Sequence, residues 1–242
     1  GGTEKNQTYF SAASTNAQGI IPNNTYNRYN FTVRNTTHLL NDKLRIDASA
    51  GYILQNNLNM INQGEYMNPL VSAYLMPRGY GLDRAKAFEQ YNPTTHIYEQ
   101  VWGDLKAGSD GTFGGTFAGD YTLQNPYWEA YRNLREAKRN RYLLSLGVSL
   151  DLKQWSPTEK WDISGRIRTD NTHFTNTNKL YASTLAAGTD VSKTGFFGIA
   201  RGYEKQTYMD VLTNLTKNFG KFSLMVNVGA SLQDTRRDEL DN

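Results

Sequence analysis

RYLLSLGVSLDLKQW, residues 141–155, alternates between two kinds of side chain over its whole length. The apolar set is Tyr142, Leu144, Leu146, Val148, Leu150 and Leu152. The residues that alternate with it are mostly small or polar, and they are Leu143, Ser145, Gly147, Ser149, Asp151 and Lys153. A period of two residues is that of a β-strand with one apolar face. Strands of globular proteins usually run to about 5–6 residues, whereas a tilted strand that crosses a membrane needs about 9–11. The length therefore favours a membrane strand.

The same alternation occurs in other parts of the chain. Ile46 and Ala48 alternate with Arg45 and Asp47, and the segment from Phe222 alternates in the same way. Residues 7–13 and 203–216 have a weaker pattern, which predicts strands without assigning their faces. The sequence thus predicts seven strands, near residues 7–13, 26–38, 44–54, 141–154, 161–170, 203–216 and 222–233.

The links between these strands alternate between short and long. The short ones are residues 39–43, 155–160 and 217–221, and the long ones are residues 14–25, 55–140 and 171–202. Outer-membrane barrels have short periplasmic turns and long extracellular loops. We therefore predict an all-β chain that is an arc of a large antiparallel transmembrane β-barrel, with residues 55–140 as a long extracellular loop. Seven strands are an odd number and fewer than the eight of the smallest bacterial barrel, so the arc belongs to a larger barrel.

Aromatic residues gather near the predicted strand ends. Trp155 and Trp161 flank a short turn, and Tyr52 and Tyr142 lie toward the long loops. Aromatic girdles at both membrane interfaces are typical of barrels. The alternative interpretation is that Trp and Tyr end strands in any β protein.

The composition narrows the class of protein. The chain has 242 residues, a net charge of +3 and no cysteine. A disulfide scaffold and thiolate metal sites are thereby excluded, and the absence of a basic block argues against nucleic acid as a partner. No apolar run approaches the roughly 20 residues of a transmembrane helix. The sequence opens with Gly1 and Gly2 rather than methionine, and we expect it to be a piece of a longer protein.

Several motifs in order resemble those of a known family. The segments are GGTEKNQTYFSAASTNAQGII (1–21), YNRYNFTVR (26–34), KLRIDASAGY (43–52), QNPYWEAYRNLREAKRNRY (124–142) and WDISGRIRTDN (161–171). Together they resemble the SusC/RagA family of TonB-linked outer-membrane proteins, over nearly the whole chain. Each motif is weak alone, and their order and spacing carry the resemblance.

The resemblance implies a fold and a set of partners. The full protein would be a 22-stranded barrel in the outer membrane of a Bacteroidota-like bacterium, in contact with its lipid. A plug domain would fill that barrel, and both the plug and the segment that binds the TonB complex would lie in an N-terminal part absent from this chain. A SusD-like surface lipoprotein would act with it. The implied function is TonB-dependent uptake of a glycan or peptide substrate.

A search for catalytic chemistry finds no site in the sequence. His38, His96 and His173 have no partner at metal-ligand spacing. The glycine-rich residues 108–120 lack the Gly-Lys-Ser/Thr ending of a phosphate-binding loop. We therefore expect neither an enzyme nor a bound metal or cofactor.

The long loop holds the candidate substrate-binding residues. Aromatic rings stack on sugars and pack on peptides, while carboxylates supply hydrogen bonds. The alternative is that the rings pack the loop against itself, the barrel rim or a lid protein. A short helix is predicted at residues 82–91, and the loop aspartates match no compact calcium-binding loop. The candidates are Tyr80, Tyr91, Trp102, Asp104, Asp110, Phe113, Tyr121, Tyr127 and Trp128.

Charged residues on the opposite face of the strands would line the lumen. They either guide a substrate or form ion pairs that fix the plug, and the second interpretation is favoured because a plugged barrel uses much of its lumen for docking. These residues are Arg45, Asp47, Asp151, Lys153, Asp162, Arg166 and Arg168.

Two functions of other classes compete with the importer. An outer-membrane barrel enzyme would need a convergent Ser, His and Asp set, which the sequence does not display. A soluble β-rich carbohydrate-binding module would need both faces of its sheet to be covered or polar, and the long one-sided apolar faces argue against it.

Overall fold

The computed structural model describes residues 1–61, 67–75, 79, 81–102, 105–106, 124–184 and 194–242. Most of them belong to one antiparallel sheet of seven long strands. These strands are β1 (Asn6–Gln18), β2 (Thr25–Leu39), β3 (Leu44–Leu58), β7 (Asn133–Ser156), β8 (Glu159–Leu180), β9 (Phe196–Phe219) and β10 (Phe222–Asp241). The remaining elements are α1 (Pro69–Leu75), α2 (Leu82–Ala85), β4 (Glu89–Asn92), β5 (Ile97–Trp102), β6 (Leu105–Lys106) and α3 (Pro126–Arg132).

The long strands pair in the order β1-β2-β3-β7-β8-β9-β10, and every pairing is antiparallel. The sheet is open, with β1 and β10 at its edges. Short turns join the strands at one end, and at the other end residues 19–24, 59–132 and 181–195 link successive strands. The first of these links is short, so the prediction of a long link at residues 14–25 was wrong, because β1 and β2 extend into it. These two ends are called the short-turn end and the long-loop end.

Each predicted strand falls within a strand of this sheet, but the strands extend further toward the long-loop end. Strand β7 begins at Asn133 instead of residue 141, and β8 continues to Leu180 instead of residue 170. Asn133 pairs directly with Leu180. Both faces are polar in this region, so the apolar alternation that predicts a strand fades while backbone pairing continues.

The register gathers the apolar residues on one face of the sheet. Leu146 lies between Ala48 and Ile167, and Ile167 pairs with Met209, which assigns the faces of β9. This surface is called the apolar face. Fifteen of its large side chains are between 37% and 65% exposed. They include Phe10, Tyr29, Phe31, Val33, Tyr142, Leu144, Leu146, Val148, Ile163, Ile167, Met209, Val211, Val226, Val228 and Leu232.

The opposite surface, called the polar face, carries rows of polar side chains across the strands. One such row runs through Arg34, Ser49, Ser145, Arg168 and Tyr208. The cavities of the sheet open on this face, and the largest has a volume of about 1350 Å³ near the short-turn end. The sheet therefore has one apolar surface and one polar surface that contains cavities.

A β-bulge near the short-turn end changes the predicted face of one residue. The register of β7 and β8 shifts between Asp151 and Lys153, so Lys153 pairs with Trp161 and joins the apolar face. The prediction that Lys153 lies on the same face as Asp151 was wrong. A bulge inserts one extra residue into a strand, so the residues after it change faces. The Lys153 ammonium lies 5.3 Å from the centre of the Trp155 ring, and that of Lys217 lies 4.5 Å from it.

The small elements form a compact unit at the long-loop end, where the chain has its buried apolar core. This unit is called the loop core, and its buried apolar residues are Ala85, Val101, Trp128, Ala130 and Leu180. The helix predicted at 82–91 is wrong beyond residue 85, because Tyr91 pairs with Tyr98 in a β-hairpin. Their rings are 5.4 Å apart, edge to face. No helix among the described residues has the length and apolar character needed to span a membrane.

Candidate functional site

A cavity of about 460 Å³ lies on the polar face, toward the long-loop end. It is called the Phe174 cavity, after the aromatic ring that lines it. Of its lining residues only Ile53 and Phe174 are apolar. The residues that carry its chemistry include Arg28, Gln55, Arg139, Phe174, Glu204 and Arg237.

Strand register brings these side chains together from separate parts of the sequence. Arg28 pairs with Gln55, Gln55 with Arg139, and Arg139 with Phe174. Neighbouring strands are about 4.8 Å apart, so this row places two guanidinium groups, an amide and a ring side by side. Alternation along each strand then points all four side chains to the same face.

The Phe174 ring lies against Gly202 of the neighbouring strand. A Cβ atom at Gly202 would come within 2.7 Å of the ring carbon Cζ and 2.4 Å of the Asp238 carbonyl oxygen. Glycine at this position therefore lets the ring lie down on the sheet instead of standing away from it. The guanidinium carbon of Arg237 is 5.8 Å from the ring centre.

Some charges of the cavity are satisfied within it, and others are not. Arg141 Nε donates to Asp170 Oδ1 at 2.8 Å, and Arg237 pairs with Glu239 at 2.8 Å. Within the part of the chain that the structure describes, Arg28 donates only to the Asn30 side chain, at 3.0 Å. Among the described residues Arg139 has no ion pair or hydrogen bond, and Glu204 has neither. The cavity therefore offers unpaired charge of both signs.

The predicted lumen residues, apart from Lys153, lie nearer the short-turn end, and most are held by neighbours. Asp47 accepts from Thr36 at 2.6 Å and pairs with Arg45 at 2.9 Å. Arg166 pairs with Asp210 of β9 at 2.8 Å. The contacts of Thr36 with Asp47 and of Arg166 with Asp210 join neighbouring strands of the sheet.

Three further lumen candidates lie along the same face. Asp162 is 6% exposed and is held by Lys160 at 3.2 Å and by the Asn214 amide at 2.8 Å. Asp151 stands directly opposite Asp162 in the register. Arg168 lines the largest cavity and has no ion pair within the described part of the chain.

The loop candidates are only partly described. Tyr80, Asp104, Asp110, Phe113 and Tyr121 lie outside the described residues, as does the side chain of Trp102. Tyr91 is 47% exposed, and its hydroxyl lies 3.3 Å from His96 Nδ1. Tyr127 is half-buried at the start of α3. These two side chains remain open to a ligand.

The prediction that Trp128 binds substrate is wrong, because its side chain is 0% exposed and has no surface that a substrate could contact. Its indole Nε1 donates to Thr184 Oγ1 at 2.9 Å, and that hydroxyl donates to Asn133 Oδ1 at 2.9 Å. A buried indole N–H usually finds such an acceptor. Trp128 therefore serves the packing role that was the alternative for the loop aromatics.

The Asn-Pro-Tyr-Trp segment forms the start of α3 and anchors it. Asn125 caps the helix by accepting from the Tyr127 backbone N–H at 2.8 Å, and Pro126 follows in the first turn. The Asn125 amide donates to the carbonyls of Ala85 and Val101, both at 2.8 Å. One buried side chain thus joins α2, β5 and α3.

Glu129 is a buried carboxyl group within the loop core. It is 4% exposed, and neither carboxyl oxygen has a hydrogen-bond partner among the described residues. Burial raises its pKa well above the usual range, and the charge of Arg135 and the nearby Ser72 hydroxyl offset only part of that rise. The group is therefore stabilised in its neutral form.

The residues of the Phe174 cavity were missed by the sequence analysis. Arg139 and Phe174 lie beyond the predicted strand ends, in segments read as loops, and Arg141 is the first residue of a predicted strand. The alternation itself contained the signal, because Arg139 and Arg141 share the parity of Ser145, which the sequence assigns to the polar face. Extending the alternation from Ser145 back to residue 139 would have placed Arg139 and Arg141 on the polar face.

A comparison with models of known protein families found no match, and a search of curated proteins also found none.

Proposed function

We propose that this chain is part of the wall of a TonB-dependent outer-membrane importer of the SusC/RagA type, which takes up oligosaccharides or oligopeptides together with a SusD-like lipoprotein. The observation that carries the proposal is the apolar face, where large side chains on six of the seven long strands are between 37% and 65% exposed. Soluble monomers rarely expose contiguous apolar patches larger than a few hundred Å². Membrane lipid is the cover that such a face requires.

Aromatic residues at both ends of the apolar face support this assignment. At the short-turn end Trp161 donates from Nε1 to Thr213 at 2.9 Å, beside Trp155 and its two lysines. At the other end a chain of rings links Tyr52, Tyr142, His173 and Tyr203, with centres 4.7, 6.3 and 6.0 Å apart. Such rings have an apolar body and a polar edge, which suits the two membrane interfaces.

The distance between the two belts agrees with a membrane. Strand β7 passes from Tyr142 to Trp155, which is about 40 Å along the strand at about 3.4 Å per residue. A tilt of about 45° turns this into about 30 Å of depth, which is the thickness of a hydrocarbon core. The polar face then borders the lumen, and the loop core sits on the outer side.

The open sheet supports the expectation that this wall is incomplete by itself. In lipid every backbone N–H and C=O must be paired, yet β1 and β10 each leave one edge without a neighbouring strand. Further strands on both sides would satisfy these edges, as in the larger barrel that the family resemblance implies.

Mass spectrometry of the native protein after detergent extraction from outer membranes tests the proposal. We expect this chain within a protein several times heavier than 27.4 kDa, together with a co-purifying lipoprotein. The parent should migrate faster on a gel before heating than after. Recovery of the protein in the soluble fraction without detergent would refute the proposal.

A further inference from the structure

We infer that the Phe174 cavity binds an acidic sugar unit of an oligosaccharide, with the sugar ring on Phe174 and its carboxylate on Arg139 and Arg28. The inference rests on the proposed importer function and names a substrate class for the lumen side of this wall. It depends on three observations: the unpaired guanidinium groups, the ring that lies on Gly202, and the polar lining of the cavity.

The guanidinium groups of Arg28 and Arg139 indicate an anionic ligand. Arg28 and Arg139 flank Gln55 in one row, and neither has a carboxylate partner among the described residues. Arg141 and Arg237 differ from them, because each already pairs with an acid of the cavity. A guanidinium group matches a carboxylate with two parallel hydrogen bonds, which are among the strongest in proteins. A ligand carboxylate therefore has two free partners here.

The ring next to Arg139 indicates what carries that carboxylate. Phe174 is half-buried beside Arg139 and is held down on the sheet because Gly202 has no side chain. The C–H groups on one side of a pyranose make a flat apolar surface of similar size to such a ring. In a hexuronic acid the carboxylate projects from the edge of that surface, and Arg139 is the residue that pairs with Phe174 on the neighbouring strand.

The rest of the lining favours a sugar over a peptide. Gln55, Thr172 and Glu204 supply both donors and acceptors around the ring, which suits a ligand with several hydroxyl groups. Specific peptide recognition instead uses pockets for apolar side chains, and Ile53 is the one apolar lining residue besides Phe174. The volume of about 460 Å³ falls within the range of about 300–1,000 Å³ for small-ligand sites.

Calorimetric titration of the intact protein in detergent micelles tests the inference with three probes. They are tetragalacturonate, its fully methyl-esterified form and tetraglutamate. The ester keeps the shape of the sugar and removes its charge, whereas the peptide keeps the charge and removes the sugar. We expect tetragalacturonate to bind at least about tenfold more tightly than either of the others, since a charged hydrogen bond contributes about that much.

Three variants assign the roles of the residues. Arg139→Gln should weaken tetragalacturonate binding about 10- to 100-fold and leave the ester unchanged. Phe174→Leu should weaken both sugars. Lys205→Gln is the matched control, because Lys205 lies on β9 between Glu204 and Gln206 and is therefore on the opposite face, and this variant should change neither affinity.

Equal binding of acid and ester by the unmodified protein would overturn the inference, as would full affinity in Arg139→Gln. Tetraglutamate binding as tightly as tetragalacturonate would refute the sugar assignment. Binding in micelles does not depend on import, so the binding result and the proposed function are tested separately. If binding fails and the protein is still found in the outer membrane, only the acidic-sugar site is refuted. Absence from that membrane would instead refute the proposed function.

Discussion

Replacing Leu146 with arginine tests which face of the sheet meets lipid. Leu146 is 45% exposed on the apolar face, between Ala48 and Ile167. Along β7 it lies about 10 Å in depth from the level of Tyr142 and about 20 Å from that of Trp155, at about 3.4 Å per residue and a tilt of about 45°. If the sheet crosses a membrane as proposed, the side chain lies well inside the hydrocarbon region.

The expected cost follows from that depth. An arginine on the lipid face of a barrel costs about 2–4 kcal/mol near the midplane and at most about 1 kcal/mol at the interfaces. The equilibrium ratio of folded to unfolded protein should therefore fall about 30- to 1,000-fold, since about 1.4 kcal/mol is a factor of ten. The adjacent Ser145→Arg is the matched control on the polar face. It stands opposite Arg168, and a like charge there costs only about 0.2–1 kcal/mol.

The assay is the amount of heat-modifiable, urea-resistant protein recovered from outer membranes, measured for both variants of the intact protein. Leu146→Arg should reduce it strongly, and Ser145→Arg should reduce it little. Equal losses in the two variants, or a greater loss in Ser145→Arg, would show that the assignment of the two faces is wrong.

Two further predictions concern the loop core. Trp128→Ala removes a fully buried indole and its hydrogen bond to Thr184, and it should destabilise the loop core by about 3–5 kcal/mol. Limited proteolysis should then cut this region faster. Tyr91→Ala is the control, because Tyr91 is 47% exposed, and it should not have this effect. Because the pKa of Glu129 is raised in the folded state, its contribution to stability should be complete below the unfolded pKa of about 4.3 and be lost as the pH rises through the higher folded value. Glu129→Gln should remove this pH dependence of protease resistance, and an unchanged pH profile would contradict the burial argument.

The alternation of side chains was sufficient to predict the seven long strands and the faces of most of them. Leu146 and Ile167, for example, are assigned to the apolar face by sequence and are paired there by the register. Lipid-facing strands give this signal because only one of their faces is apolar. The signal ends where both faces become polar, which is why β7 begins earlier than predicted and why Arg139 and Phe174 of the Phe174 cavity were read as loop.

Other features depend on contacts between distant parts of the chain, which the alternation of side chains along one strand does not reveal. The bulge that moves Lys153 to the apolar face arises from pairing with β8, and the strand itself continues with ordinary alternation. Trp128 was a reasonable binding candidate from its loop position. Its burial depends on Thr184 and Asn133, which come from other parts of the chain, so only the folded chain distinguishes it from Tyr91.

Several acidic residues of the polar face are paired, whereas an arginine of the Phe174 cavity is not. Toward the short turns Asp47, Asp162 and Asp210 are each held by a basic side chain. These pairs satisfy one another and stabilise the sheet, so little of their charge remains for a ligand. Toward the long loops Arg139 and Glu204 stand unpaired among the described residues, beside a ring that Gly202 allows to lie flat. Unpaired charge in a cavity is costly unless something else compensates it, which is the physical reason for proposing a ligand at this end of the polar face.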